Sequence, residues 1–173
     1  GDVLVSTQDY ATRTFCLARA MKLCGAHCAA LVRVSPDDLK LYLDALLHHL
    51  VPSHPAPDLD PERLEELTKR LARFLPRKDE VELRALALDV VHSGFDTEVL
   101  AQAAATWGDR VALLAVGDLA VALRGVAWTL GQPDLPQDPE ARRAWLRETP
   151  AARELIAFAT TEAYQNARRT AGV

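Results

Sequence analysis

This chain has little from which to build either chemistry or a covalent framework. Among 173 residues there are three cysteines, one methionine and five histidines. Cys16, Cys24 and Cys28 are odd in number and crowd into one stretch, which is not how a secreted disulfide scaffold is laid out and fits the reducing cytoplasm. Aromatic residues make up only 6%, and no run of Val, Ile, Thr or Tyr alternates with polar residues between turn signals, so no sheet is expected. A basic excess is missing too. Net charge is −4 and the arginines are interspersed with Asp and Glu, which leaves no electrostatic footprint for nucleic acid. No basic stretch leads into the apolar run of a secretion signal, and the opening Gly1-Asp2-Val3, without Met, reads as a piece excised from a larger protein. Nucleophile elbows, phosphate-cradling glycine loops, dinucleotide fingerprints and a 34-residue repeat period are all absent.

What the chain does have is helix-forming material. Hydrophobic residues reach 49% and charged residues 25%, with abundant Ala, Leu and Arg, a usage that also suggests a GC-rich bacterial source. The length suits one domain. Ser6 and Asp9 start a helix over 7–32, on which Tyr10, Thr14, Leu17, Met21, Cys24 and Cys28 recur at helical spacing, with Gly25 as a point of weakness. Ser35 and Pro36 open a second over 36–50, and three prolines between 52 and 57 make the main loop. Asp60-Pro61 opens a third, stopped by Pro76; a fourth covers 78–92 and closes at Gly94. Asp96 caps a fifth over 97–107, and Gly108-Asp109 reads as a break before the most apolar helix, 110–130. That helix is about as long as a membrane span, but Asp118 and Arg124 within it make a core helix the expected reading, with each charge paired. Two last helices are expected over 139–148 and 150–169.

The best metal candidate is Cys24-Gly25-Ala26-His27-Cys28, because thiolate and imidazole one turn apart can share a zinc ion. The blander reading places Cys24 and Cys28 on the apolar face as small hydrophobes and His27 at the surface. His48-His49 sit where a helix end favours cations, and Glu65-Glu66 and Asp37-Asp38 fall on solvated faces that offer no carboxylate dyad.

Two stretches carry a resemblance. Phe15 to Leu23 on the first helix, and Trp107-Gly108-Asp109-Arg110 followed by Val111 to Leu114, are similar in shape to the two signature segments of HtpX-type and CAAX-protease-type metallopeptidases. Those signatures are a His-Glu-x-x-His helix and a Glu-Ala-Asp-Arg before a long apolar helix. Laid over them, Arg19, Ala20, Leu23 and Trp107 take the ligand and base positions, so the resemblance implies a peptidase shell without zinc or hydrolysis. It also implies that Arg19, Leu23 and Trp107 converge in space. The run Leu113 to Arg124 and the later Leu155 to Ala159 resemble the helical C-terminal regions of large tetratricopeptide-repeat proteins of myxobacteria, which implies an accessory role on a scaffold.

The expectation is therefore an all-α domain of about seven helices around the 110–130 helix, with neither cofactor nor catalytic residue. Its expected role is protein interaction with a partner the sequence does not identify, and self-association is left open. Trp145 and Tyr164 are the candidate contact residues. A metal-binding or enzymatic domain using Cys24, His27 and Cys28 is the alternative.

Overall fold

Most helices in this chain begin where a short polar side chain satisfies a free backbone N–H. A computed structural model describes residues 9–54, 60–132 and 134–172, and among them it contains nine α-helices, one short 3-10 turn (Ala30–Val32) and no strand. The helices are α1 (Tyr10–Gly25), α2 (Pro36–Leu50), α3 (Pro61–Phe74), α4 (Arg77–Ser93), α5 (Thr97–Val116), α6 (Leu119–Thr129), α7 (Pro139–Glu148), α8 (Pro150–Ala159) and α9 (Glu162–Ala171). Asp9, Ser35, Asp118, Asp138 and Thr161 accept hydrogen bonds from backbone N–H groups at the starts of α1, α2, α6, α7 and α9. The all-α class is as expected, but the helices are more numerous and shorter. No helix among the described residues is long and apolar enough to cross a membrane.

The main correction concerns the two Gly-Asp pairs. The expected break at Gly108-Asp109 is not there, since α5 runs through it, and the expected continuous 110–130 helix breaks instead at Gly117-Asp118. Gly117 takes φ +67°, a left-handed conformation that costs a side-chain-bearing residue energy, and Asp118 then accepts from Ala120 N (2.7 Å) and Val121 N (3.1 Å). Asp118 is thus paired as a cap at the surface, and Arg124 reaches Asp9 at 3.4 Å from a half-buried position. Neither charge lies deep in a core. A second break falls at Thr160-Thr161, where the Thr161 hydroxyl donates to Phe158 O and accepts from Tyr164 N, so the expected 150–169 helix is α8 and α9. The 7–32 helix ends at Gly25, with His27 at φ +57° in the turn beyond it.

The chain divides into two compact units, residues 1–30 with 102–173, and residues 31–101. In the first, α6 packs on α1 and α8, while α7 and α9 both pack on α8. Its core joins Phe15, Leu113, Val126, Trp145, Leu155 and Tyr164. Phe15 is fully buried and lies so close to α6 that a Cβ on Gly125 would stand 2.2 Å from its ring. In the second unit α2 is central, packing on α3 through Leu41, Ala45 and Leu67 and on α4 through Leu47, Leu50 and Ala87. Apolar clusters therefore form in both units, where one core around 110–130 was expected.

Candidate functional site

The residues singled out from the sequence are dispersed. Trp145 and Tyr164, the candidate contacts, point inward at 8% and 6% exposure. The Trp145 indole N–H donates to Gln132 Oε1 at 2.7 Å, and the Tyr164 ring meets Phe158 edge-on with centroids 5.5 Å apart. Both act as core side chains of the first unit. Cys24 is exposed in the last turn of α1, His27 is exposed in the turn, and Cys28 donates its S–H to Ala26 O at 3.3 Å. Only Cys16 behaves as a core cysteine, and burial pushes its thiol above the ordinary range. Among the described residues no group of three or more His, Cys, Asp or Glu side chains is placed to hold a metal ion.

The two signature-like segments do meet. On α1, Arg19 donates Nε–H to Asp109 Oδ1 of α5 at 2.7 Å, and Lys22 sits 3.9 Å above the Trp107 ring. Gly108 supplies the space, since a Cβ there would lie 3.2 Å from side-chain carbons of both Arg19 and Leu23. The carboxylate of Asp109 is 5% exposed, and burial pushes its pKa above the usual 3.8 although the Arg19 guanidinium opposes that shift. A carboxyl whose folded-state value is raised holds its proton more tightly folded than unfolded. Its contribution to stability is therefore fully present at acid pH and is lost as pH rises through the raised value. Asp109→Asn keeps an oxygen for Arg19 and has no proton to lose. Urea denaturation of the two proteins across the pH range is expected to show wild type losing ground to the variant from about pH 4 upward; parallel curves would rule the account out. This junction is a structural clasp, made of an ion pair and a cation–π contact.

The concave site lies in the second unit. A groove of about 590 Å³ runs between α2 and α4 and reaches the first turn of α5. The alternation that builds it is readable in the sequence. Leu43, Leu46, Leu47 and Leu50 share one side of α2, and Leu83, Leu86, Ala87 and Val90 share one side of α4, at spacings of one, three and four. Leu47, Leu50 and Ala87 form a floor at 3–5% exposure, whereas Leu86 and Val99 stand 59% and 62% exposed on the walls. Gly94 N–H bonds back to Val90 O and turns the chain so that Phe95 closes one end. The charged residues lining the groove are Asp89 and Asp96. Asp96 caps α5 through Glu98 N (2.8 Å) and Val99 N (3.0 Å), while Asp89 is exposed. Apart from Asp89, Ser93, Gly94 and Asp96 the lining is Leu, Ala, Val and Phe, so the groove offers apolar surface under an acidic rim.

A contrast with the sequence reading appears on α1. The stripe Tyr10, Leu17, Met21 and Cys24 was read as core-facing, but Tyr10 is 79%, Leu17 55% and Met21 74% exposed, and the buried side is Thr12, Phe15, Cys16 and Leu23. Two apolar stripes lie on one helix, and sequence periodicity registers the longer one without saying which packs inward. Comparison with known proteins adds no identity: no protein-family model, curated protein or solved structure matches the chain.

Proposed function

We propose that this protein is a non-catalytic interaction module that binds an apolar helical surface of another protein in the α2–α4 groove. The observation that carries the reading is the groove itself. It has the volume of a binding site, it keeps large aliphatic side chains in contact with solvent, and its lining is predominantly apolar. Burying two exposed leucine-sized side chains there would contribute about 3–6 kcal/mol before the cost of association, which suits micromolar recognition. The Arg, Ala, Leu and Trp at positions 19, 20, 23 and 107 are consistent with a module that does no metal chemistry, since none of the four can ligate zinc.

A test uses a designed amphipathic helical peptide with leucines at i, i+4 and i+7 and lysines on its polar face. Titration of the labelled chain by NMR is expected to shift the amides around Leu43, Leu46, Leu86 and Phe95, with Leu86→Glu weakening binding by about tenfold or more. Absence of binding at about 1 mM peptide, or shifts confined to other regions, would defeat the reading.

A further inference from the structure

The end of α1 places two cysteines on one turn, and the turn is closed by the backbone. Past Gly25 the Ala26 N–H donates to Lys22 O (3.0 Å), the His27 N–H to Cys24 O (3.0 Å) and the Cys28 N–H to Leu23 O (2.8 Å). His27 takes φ +57°, a left-handed conformation that residues with a side chain disfavour, and it folds Cys28 back over the last turn of the helix. Residues four apart in a regular helix have Cα atoms about 6 Å from one another, inside the roughly 4.4–6.8 Å that a disulfide spans, but their Cβ atoms stand about 5–6 Å apart, which is too far. Leaving the helical path at His27 frees Cys28 from that limit. Cys24 is exposed and Cys28 half-buried, so a small oxidant can approach the pair. Cys16 does not compete, since it is buried and lies eight residues, about 12 Å, back along the helix from Cys24.

We infer that Cys24 and Cys28 are a redox-active dithiol, which hydrogen peroxide closes into a disulfide across this turn so that the end of α1 is locked. The deprotonated Cys24 sulfur attacks one peroxide oxygen, the O–O bond breaks, water leaves and a sulfenic acid remains. The Cys28 thiol then attacks the Cys24 sulfur, the S–O bond breaks and the oxygen departs as a second water. Two thiols and one peroxide thus give one disulfide and two waters, with two electrons passing from sulfur to oxygen. The hydrogen bond given up is the one from Cys28 S–H to Ala26 O, at 3.3 Å. What the crosslink holds lies beside it. Leu23 is 3% exposed and packs beside Gly108 of α5, and Lys22 covers the Trp107 ring, so the turn directly follows the residues of the α1–α5 clasp. In the reduced chain the disfavoured angle at His27 lets this turn open, and in the oxidised chain the covalent loop keeps it shut. The inference is independent of the α2–α4 groove.

The test treats the full chain with hydrogen peroxide, blocks the remaining thiols in denaturant and digests with trypsin. Cleavage after Lys22 and Arg33 leaves Cys24 and Cys28 on one peptide, 23–33, and cleavage after Arg13 and Arg19 leaves Cys16 on another, 14–19. The 23–33 peptide is expected to be lighter by two hydrogens and unblocked, to accept two blocking groups after dithiothreitol, and to change in this way while Cys16 stays a blockable thiol. Exchange of the Ala26, His27 and Cys28 amides should slow by about tenfold or more on oxidation and recover on reduction. Cys28→Ser, a change at a half-buried residue whose folding circular dichroism checks, should leave Cys24 as a sulfenic acid or in an intermolecular disulfide, with no slowing of exchange. A 23–33 peptide that keeps two free thiols, or that carries oxidised Cys24 beside a free Cys28, overturns the proposal. So does a disulfide that forms without slowing those three amides.

Discussion

Arg19→Met is expected to be the most damaging single change outside the apolar core, costing about 3 kcal/mol at neutral pH. The loss comes from what is left behind. Asp109 stays 5% exposed on α5 and loses the one ion-pair partner that the clasp gives it. It must then either remain charged without compensation or take up a proton. Proton uptake sets an upper limit, because neutralising a carboxyl of ordinary acidity at pH 7 costs about 1.4 kcal/mol for each of roughly three pH units. The penalty should therefore shrink as the medium is acidified and fall to about 1 kcal/mol near pH 4. Denaturant midpoints for wild type and Arg19→Met at pH 7 and pH 4 measure this directly. Arg19→Met combined with Asp109→Asn should recover more than half of the loss at pH 7, since no buried charge is then stranded. A loss under 1 kcal/mol at pH 7, or one that does not change with pH, would show that the pair contributes nothing.

Gly125→Ala should destabilise by about 2 kcal/mol in spite of alanine's advantage of about 1 kcal/mol as a helix former. The new methyl would stand 2.2, 2.6 and 2.8 Å from three atoms of the Phe15 ring, and that ring has no exposed side toward which to move. Either α1 or α6 has to shift. Phe15→Leu removes ring atoms from the same space, so the double variant should be more stable than the sum of its parts by at least about 1 kcal/mol. Thermal melts of the four proteins in the cycle give the coupling. If Gly125→Ala raised the melting temperature, helix propensity would have won and the close approach of α1 to α6 would be disproved.

How far the fold could be read from the sequence depended on local chemistry. The starts at Pro36, Pro61, Pro139 and Pro150 are as expected, because an Asp, Ser or Thr followed by Pro sets a helix start within two residues whatever packs around it. The Gly-Asp pairs show the limit. At 117–118 the glycine is needed for its backbone angle and the aspartate as a cap, while at 108–109 the glycine is needed for room beside Leu23 and the aspartate for Arg19, ninety residues away. Both uses leave the same two letters, and only the distant partner separates them. The candidate groove was legible as two leucine-rich faces on α2 and α4, but that these faces remain partly open follows from packing that no periodicity encodes. Trp145 and Tyr164 are apolar side chains expected to be incompletely buried, and Gln132 and Phe158, which pair with them, lie in segments that gave no signal of it.

The division of the chain also sets an order of events during synthesis. Of the described helices α1 is made before the others, yet the partners of Phe15 and Arg19 lie at Gly125 and Asp109, after the whole of residues 31–101. The intervening unit has its own apolar clusters and can condense while α1 still waits. In that interval α1 exposes both its stripes, with Phe15 and Leu23 as bare as Leu17 and Met21. The nascent chain is thus most prone to stray association before residue 126 has left the ribosome, and a chaperone that holds α1 would act within that window.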